Sequence, residues 1–208
     1  MTAATEAITT EIPDPSQRNF FPQTVGQRAA GFWWSIVRTT LFRWSPPPLD
    51  GWRRWLLRRF GADVHASVRI SPSVRVDFPW NLAIDRDVVV AHKVIINCMG
   101  RIKIGAGTWI SQYAHLCAGT HDYRRRDMRI VSCAITIGKG VWIAADAFVG
   151  PNVTIGERCL LAARSSAFSD LPAGHVCMGE PAKPCREWGG IGTATTTADP
   201  GVARPSER

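Results

Sequence analysis

His121 is the side chain that the sequence places best for chemistry. It closes the run Leu116-Cys117-Ala118-Gly119-Thr120-His121 and stands at the root of a polar, arginine-rich stretch. An imidazole titrates near neutrality, so a histidine at a loop root can take a proton from a hydroxyl as a general base. The position suits equally a surface histidine hydrogen-bonded to its own loop, and both readings stay open here. His115 lies six positions earlier and His92 further upstream, so imidazoles brought together, with His92 joining across a subunit interface, would offer a zinc site. Cys117 offers a thiol near His121, the pairing of a Cys/His nucleophile, though a small packed corner residue is the simpler role. Arg124, Arg125, Arg126 and Arg129 follow closely, either as a solvated charged loop or as a field that attracts anionic groups.

The elements that must position these residues show in a spacing of six. Ile104, Ile110 and Leu116, then Ile137, Ile143, Val149, Ile155 and Leu161 recur in that register, usually followed by a small residue. Neither an amphipathic helix nor an alternating strand gives this period; stacked hexapeptides of a β-helix do. The aliphatic residues are expected inside the prism and the small residues at its corners, where glycine suits unusual backbone angles. Upstream, Val64, Ile70, Val76 and Leu82 keep the spacing, as do Ile84, Val90, Ile96 and Ile102 in a register shifted by two. A second shift by two brings Ile104, and each slip predicts a bulge or short extra turn. The 21 positions from Leu116 to Ile137 are three more than a whole coil of about eighteen, which predicts a loop carrying roughly residues 122–133. The run Asp170-Leu171-Pro172-Ala173-Gly174 ends the regular coils.

Composition bounds the rest. A chain of 208 residues with 45% hydrophobic side chains fits one domain with an appended arm. Six cysteines without a Cys-x-x-Cys pair, and no apolar leader in Met1–Arg18, predict reduced thiols and a cytoplasmic protein. The formal net charge of +8 comes largely from residues 28–69, where arginine alternates with tryptophan and phenylalanine. No nucleic-acid-binding motif accompanies it, so an anionic cofactor or a membrane surface is the expected partner, and no nucleic acid.

Residues 1–19 and 189–208 read as disordered tails, 20–61 as a helical arm, and 62–188 as the β-helix. In the arm, Phe32, Ile36, Val37, Thr40, Leu41 and Trp44 share one side of a helical wheel, and Pro46-Pro47-Pro48 stops the helix. Asp50 is a candidate N-cap for a second helix, with Trp52, Trp55, Leu56 and Phe60 opposite Arg53, Arg54 and Arg58, and Gly61 as its stop. Arg38 and Arg43 interrupt the best candidate for a membrane span. The arm is expected to cap the first coil, whose edge would otherwise be open, and to allow peripheral contact with the inner face of a membrane.

Taken together, Leu116 to Tyr123, the run Ile135-Thr136-Ile137-Gly138-Lys139-Gly140-Val141-Trp142-Ile143-Ala144, and Gly179-Glu180-Pro181-Ala182-Lys183 resemble the hexapeptide-repeat O-acetyltransferases. Those of colanic-acid and other exopolysaccharide biosynthesis are the most similar, with nodulation and galactoside or maltose acetyltransferases more distant. The resemblance spans about Leu49 to Trp188. It implies an all-β fold, a left-handed parallel β-helix with an N-terminal helical arm and an external loop, assembled as a trimer with active sites between subunits. It implies acetyl-CoA as acyl donor with no metal, a sugar or lipid-linked sugar as acceptor, and direct transfer in a ternary complex.

His121 matches the family's catalytic base, and a backbone N–H near Ala145 matches its oxyanion donor. Ala145 and Ala163 fall where small residues let the pantetheine arm lie along the coil. Trp142 matches an aromatic beside the acceptor or pantetheine channel, and an ordinary outward-facing aromatic fits it as well. Ser169 stands where a phosphate-binding lysine is common, which leaves Arg164 and Lys183 for the CoA phosphates. Asn97 is the candidate for an acceptor-binding side chain, and Arg124 for an anionic acceptor. The alternatives are an acetyltransferase for an antibiotic, free sugar or amino acid, a zinc-dependent carbonic-anhydrase-like protein, and a non-catalytic β-helix.

Overall fold

Short strands with one inward aliphatic residue each cannot bury a face alone; stacked in register, they build one continuous core. The structure, a computed structural model, describes residues 24–189, so the tail 1–19, the first four residues of the arm and all but the first residue of the tail 189–208 lie outside the described residues. Three parallel sheets form the sides of a prism. Face one stacks Asp63–Val64, Leu82–Ile84, Ile102–Ile104, Ile135–Ile137 and Thr154–Ile155. Face two stacks Arg69–Ile70, Val89–Val90, Trp109–Ile110, Trp142–Ile143, Leu160–Leu161 and His175–Gly179, closed by the antiparallel strand Ala182–Glu187. Face three stacks Arg75–Asp77, Ile95–Asn97, His115–Cys117, Phe148–Val149 and Ser166–Ala167. Every aliphatic residue of the sixfold pattern is inside, from Val64 to Leu161.

The shifts by two have a plain cause. Leu82 and Ile84 both point inward from one three-residue strand, as do Ile102 and Ile104. The longer strand absorbs the extra residues, helped in the first coil by a 3-10 turn at Pro79–Asn81.

Two sequence expectations about the coil need correction. From Leu116 to Ile137 the chain makes only the step from face three to face one, which takes eight positions in the two preceding coils (Val76 to Ile84, Ile96 to Ile104). The insertion is therefore far larger than three residues. It is a β-hairpin, with Gly119–His121 antiparallel to Ile130–Ser132. The glycines after the face-one aliphatics are also required for a different reason. Gly105, Gly138 and Gly156 stack directly, and a Cβ on Gly138 would stand 2.7 Å from the Glu157 nitrogen. Positive φ occurs instead two residues later, at Gly107, Gly140 and Arg158, and at Asp87 in the equivalent place of an earlier coil.

The arm packs on the first coil differently from its helical-wheel reading. Helix α1 (Val25–Val37) continues as a wide π turn over Arg38–Phe42, and α2 spans Asp50–Arg59. Trp34 and Phe42 are the buried residues of the first segment, and Trp34 Nε1 donates to the Val76 carbonyl at 2.8 Å. Phe32, Ile36, Leu41 and Trp44 face outward. In α2 the buried side chains are Arg53, Leu56 and Leu57, while Trp52 and Trp55 are exposed.

Arg53 is inside because the edge of the first coil offers acceptors. It donates to the Ile70, Pro46 and Pro47 carbonyls, to Ser45 Oγ and to Asp50 Oδ1. Arg54 and Arg58 donate to the Val68 and Val64 carbonyls at 2.6 and 2.7 Å. Asp50 is the first residue of α2 rather than its N-cap, and its carboxylate accepts from the Ile70 N–H at 3.0 Å.

Candidate functional site

Face three, its two edges and face two carry the candidate site residues. Alternation puts Val76, Ile96 and Leu116 inward, so their neighbours point out: Arg75 and Asp77, then Ile95 and Asn97, then His115 and Cys117, stacked coil on coil. Asn97 Oδ1 and His115 Nε2 are buried atoms with no hydrogen-bond partner among the described residues. Buried polar atoms are normally paired, so two orphans on adjacent coils of one face mark a place that a polar ligand would satisfy. Burial lowers the pKa of His115, the Arg75 guanidinium adds to this, and Asp77 opposes it. Its imidazole is thereby biased to the neutral form.

The hairpin rises from the edge between faces three and one. Gly119 sits against Met99, with its Cβ position 2.5 Å from the thioether sulfur, and a Cβ on Gly100 would fall 1.9 Å from the Cys133 carbonyl oxygen. Both ends of the hairpin are thus pressed onto the coil below. At its tip Asp122 N–H donates to the Arg129 carbonyl at 2.8 Å, and Arg125 pairs with Asp127 at 3.1 Å. Arg124 stacks over the Tyr123 ring at 5.7 Å. His121 is exposed, and its Nδ1 lies 2.6 Å from the Met128 carbonyl oxygen. A carbonyl oxygen only accepts, so Nδ1 is the donor, and in the neutral ring the lone pair falls on Nε2.

The other edge, between faces two and three, holds the remaining candidates. Ala145 and Ala163 occupy equivalent corner positions on successive coils, joined by the Arg164 N–H to Ala145 carbonyl bond at 3.0 Å. Arg164 reaches Asp146 at 3.3 Å with both side chains well exposed, a pairing that leaves the guanidinium available. Trp142 lies on face two between Trp109 and Leu160, and its indole N–H donates to Ser111 Oγ at 2.9 Å. Lys183 is on the final antiparallel strand, opposite Met178. One chain therefore groups Asn97 and His115, groups Ala145, Ala163 and Arg164, and keeps His121 and Arg124 at the opposite edge. Cys117 donates its thiol to the Gly119 carbonyl at 3.4 Å. Among the described residues no three His, Cys, Asp or Glu side chains form a group able to hold a metal ion.

Comparison with known proteins bears on what this arrangement serves. The family described as Bacterial transferase hexapeptide (six repeats) matches residues 134–166. WcaF of Escherichia coli K12, named as a colanic acid biosynthesis acetyltransferase, is 44% identical over 155 residues, which is 74% of this chain and 85% of WcaF. The chain belongs to the hexapeptide-repeat acetyltransferases. The galactoside O-acetyltransferase of the same organism is 28% identical over 149 residues, covering 70% of this chain and 73% of that protein. The hexapeptide-repeat acetyltransferase VCA0836 of Vibrio cholerae superposes with a TM-score of 0.71 at 25% identity, over 79% of this chain and 93% of that one.

The fold of this acetyltransferase is accordingly the left-handed β-helix expected from its sequence. The sequence offered His115 only as a metal ligand, and the structure adds its place beside Asn97 on the outer face. The signal that would have found it is its register: it stands one place before the inward Leu116, as Ile95 stands before Ile96, and so on the outer face beside Asn97.

Proposed function

We propose that this acetyltransferase moves the acetyl group of acetyl-CoA onto a sugar hydroxyl during exopolysaccharide or other glycan assembly, on the cytoplasmic side where acetyl-CoA is supplied. The 44% identity to WcaF supports the pathway class. The galactoside acetyltransferase solved with coenzyme A and VCA0836 solved with acetyl coenzyme A support the donor.

The observation that carries the mechanism is the His121–Met128 hydrogen bond. In the neutral ring it selects the tautomer with the lone pair on Nε2, the one that a general base needs. Nε2 takes the acceptor's hydroxyl proton as that oxygen attacks the thioester carbonyl carbon. The C–O bond forms, the C–S bond breaks, and the imidazolium returns the proton to the departing CoA sulfur. General-base help of this type is worth roughly 10²–10⁴-fold.

Charge developing on the carbonyl oxygen calls for a fixed donor. The Ala145 N–H has no backbone partner among the described residues and is open to serve. It sits a full prism side from the root of the hairpin, up to about 20 Å for six extended residues. A site joining His121 to such a donor is therefore built between copies, which supports a homotrimer. At that interface Ala145 and Ala163 leave room for the pantetheine arm, with Arg164 and Lys183 near its phosphates. Asn97, Trp142 and Arg124 are assigned to the acceptor.

The test is release of CoA from acetyl-CoA with a panel of acceptors. Saturable release with free or diphosphate-linked hexoses supports the reading. Release with amines alone, or with no hydroxyl acceptor, contradicts it.

A further inference from the structure

The arm has a second apolar face that the β-helix does not cover. Trp34 and Phe42 point into the protein, but Val25, Phe32, Trp33, Ile36 and Trp44 point away from it, with Trp44 80% exposed. A residue spacing of four, as in Phe32, Ile36, Thr40 and Trp44, drifts around an α-helix of 3.6 residues per turn. The π turn over Arg38–Phe42, closed by the Arg43 N–H to Arg38 carbonyl bond at 3.1 Å, widens the coil and counters that drift. Leu41, Trp44, Leu49 and Trp52 then line an open apolar groove, and Trp52 stacks on the exposed Trp55 at 5.1 Å.

Charge says what covers this face. Residues 24–61 hold seven arginines and one acidic residue, Asp50, which is engaged by Arg53. Arg28 and Arg43 are exposed on the first segment, and the Arg43 guanidinium lies over the Trp44 ring at 5.7 Å. Tryptophan beside arginine on an apolar helical face suits the headgroup layer of a bilayer, where indoles sit at the interface and guanidinium groups meet phosphates. No helix among the described residues is long and apolar enough to cross a membrane, so the contact is peripheral.

We propose that this face seats the enzyme on an anionic phospholipid surface. The π turn aligns the apolar residues, the arginines supply attraction to the headgroups, and Arg53 ties the arm to the coil so that the enzyme body follows. The proposal is independent of the acceptor's identity, because no arm residue is among those assigned above to donor or acceptor.

The experiment is flotation of the full-length protein with vesicles of phosphatidylcholine alone and of phosphatidylcholine with phosphatidylglycerol. Wild type is compared with the double variants Trp33→Ser/Trp44→Ser and Arg28→Gln/Arg43→Gln, each checked for wild-type circular dichroism and molar mass in solution. The account expects binding to the anionic vesicles only, weakened about tenfold or more by either double variant and by raised salt. Equal partition of wild type and both variants overturns it, as does failure of wild type to bind. A tryptophan variant of smaller molar mass than wild type also overturns it, since the face would then join copies of this chain. Should either pair fail to fold, the single variants Trp44→Ser and Arg43→Gln carry the same comparison.

Discussion

Gly138 and Glu157 lie on successive coils so close that a Cβ on the glycine would stand 2.7 Å from the glutamate nitrogen. The obstacle is backbone on both sides, so it cannot rotate away. Gly107 is the opposite case: its φ of +68° favours glycine, while a Cβ there would meet nothing within 4 Å. Gly138→Ala should lower stability by about 1–3 kcal/mol through overpacking. Gly107→Ala should cost about 1 kcal/mol through backbone strain alone. Urea unfolding of both variants checks the order, and a Gly107 variant less stable than the Gly138 variant would reverse the argument.

Arg53 tests how the arm is held. Its side chain is 1% exposed, and all its N–H groups have acceptors in residues 45–50 and at Ile70. Arg53→Met keeps apolar volume but strands these carbonyls and Asp50, and should destabilise the protein by about 3–5 kcal/mol. A loss under about 1 kcal/mol in the same unfolding experiment would mean that the network contributes little.

The contrast between arm and coil shows what the sequence made legible. Every aliphatic of the sixfold register lies inside, but the register missed a second inward set two places earlier, Val68, Val74, Val88, Val94, Val141 and Val153, which packs at the corners. The arm defeated the same reasoning, since the wheel assumes one apolar face and 3.6 residues per turn throughout. Here Trp34 and Phe42 mark the inner face, a π turn changes the phase, and an arginine is buried by acceptors that only the folded coil provides. Among the proposed site residues, His121 draws attention in the sequence by its place at a loop root. The pairing of Asn97 with His115 needed the coil-to-coil register.

His115 gives stability a pH dependence. Its pKa is lowered in the folded protein, chiefly by burial, so the unfolded chain takes up a proton at higher pH than the native one. This group therefore costs nothing above the ordinary histidine value of 6.5 and erodes stability as pH falls below it. Wild type should lose melting temperature between pH 7 and 5 more steeply than His115→Gln. Parallel curves for the two proteins would remove His115 as the cause.

Asn97 separates binding from folding. Its Oδ1 has no partner among the described residues, so truncation removes an unsatisfied group and should leave the melting temperature nearly unchanged. Asn97→Ala should raise KM for the acceptor about tenfold and leave KM for acetyl-CoA alone. A change confined to the acetyl-CoA KM would move Asn97 out of the acceptor site.

The central claim is that His121, set by the Met128 carbonyl, removes the acceptor's proton. The most direct test is acetyl transfer by His121→Ala, with acetyl-CoA binding measured by calorimetry on the same sample. The account predicts donor binding close to wild type and a transfer rate lower by about 10²–10⁴-fold. Transfer within a few-fold of wild type in a variant that still binds acetyl-CoA would contradict it.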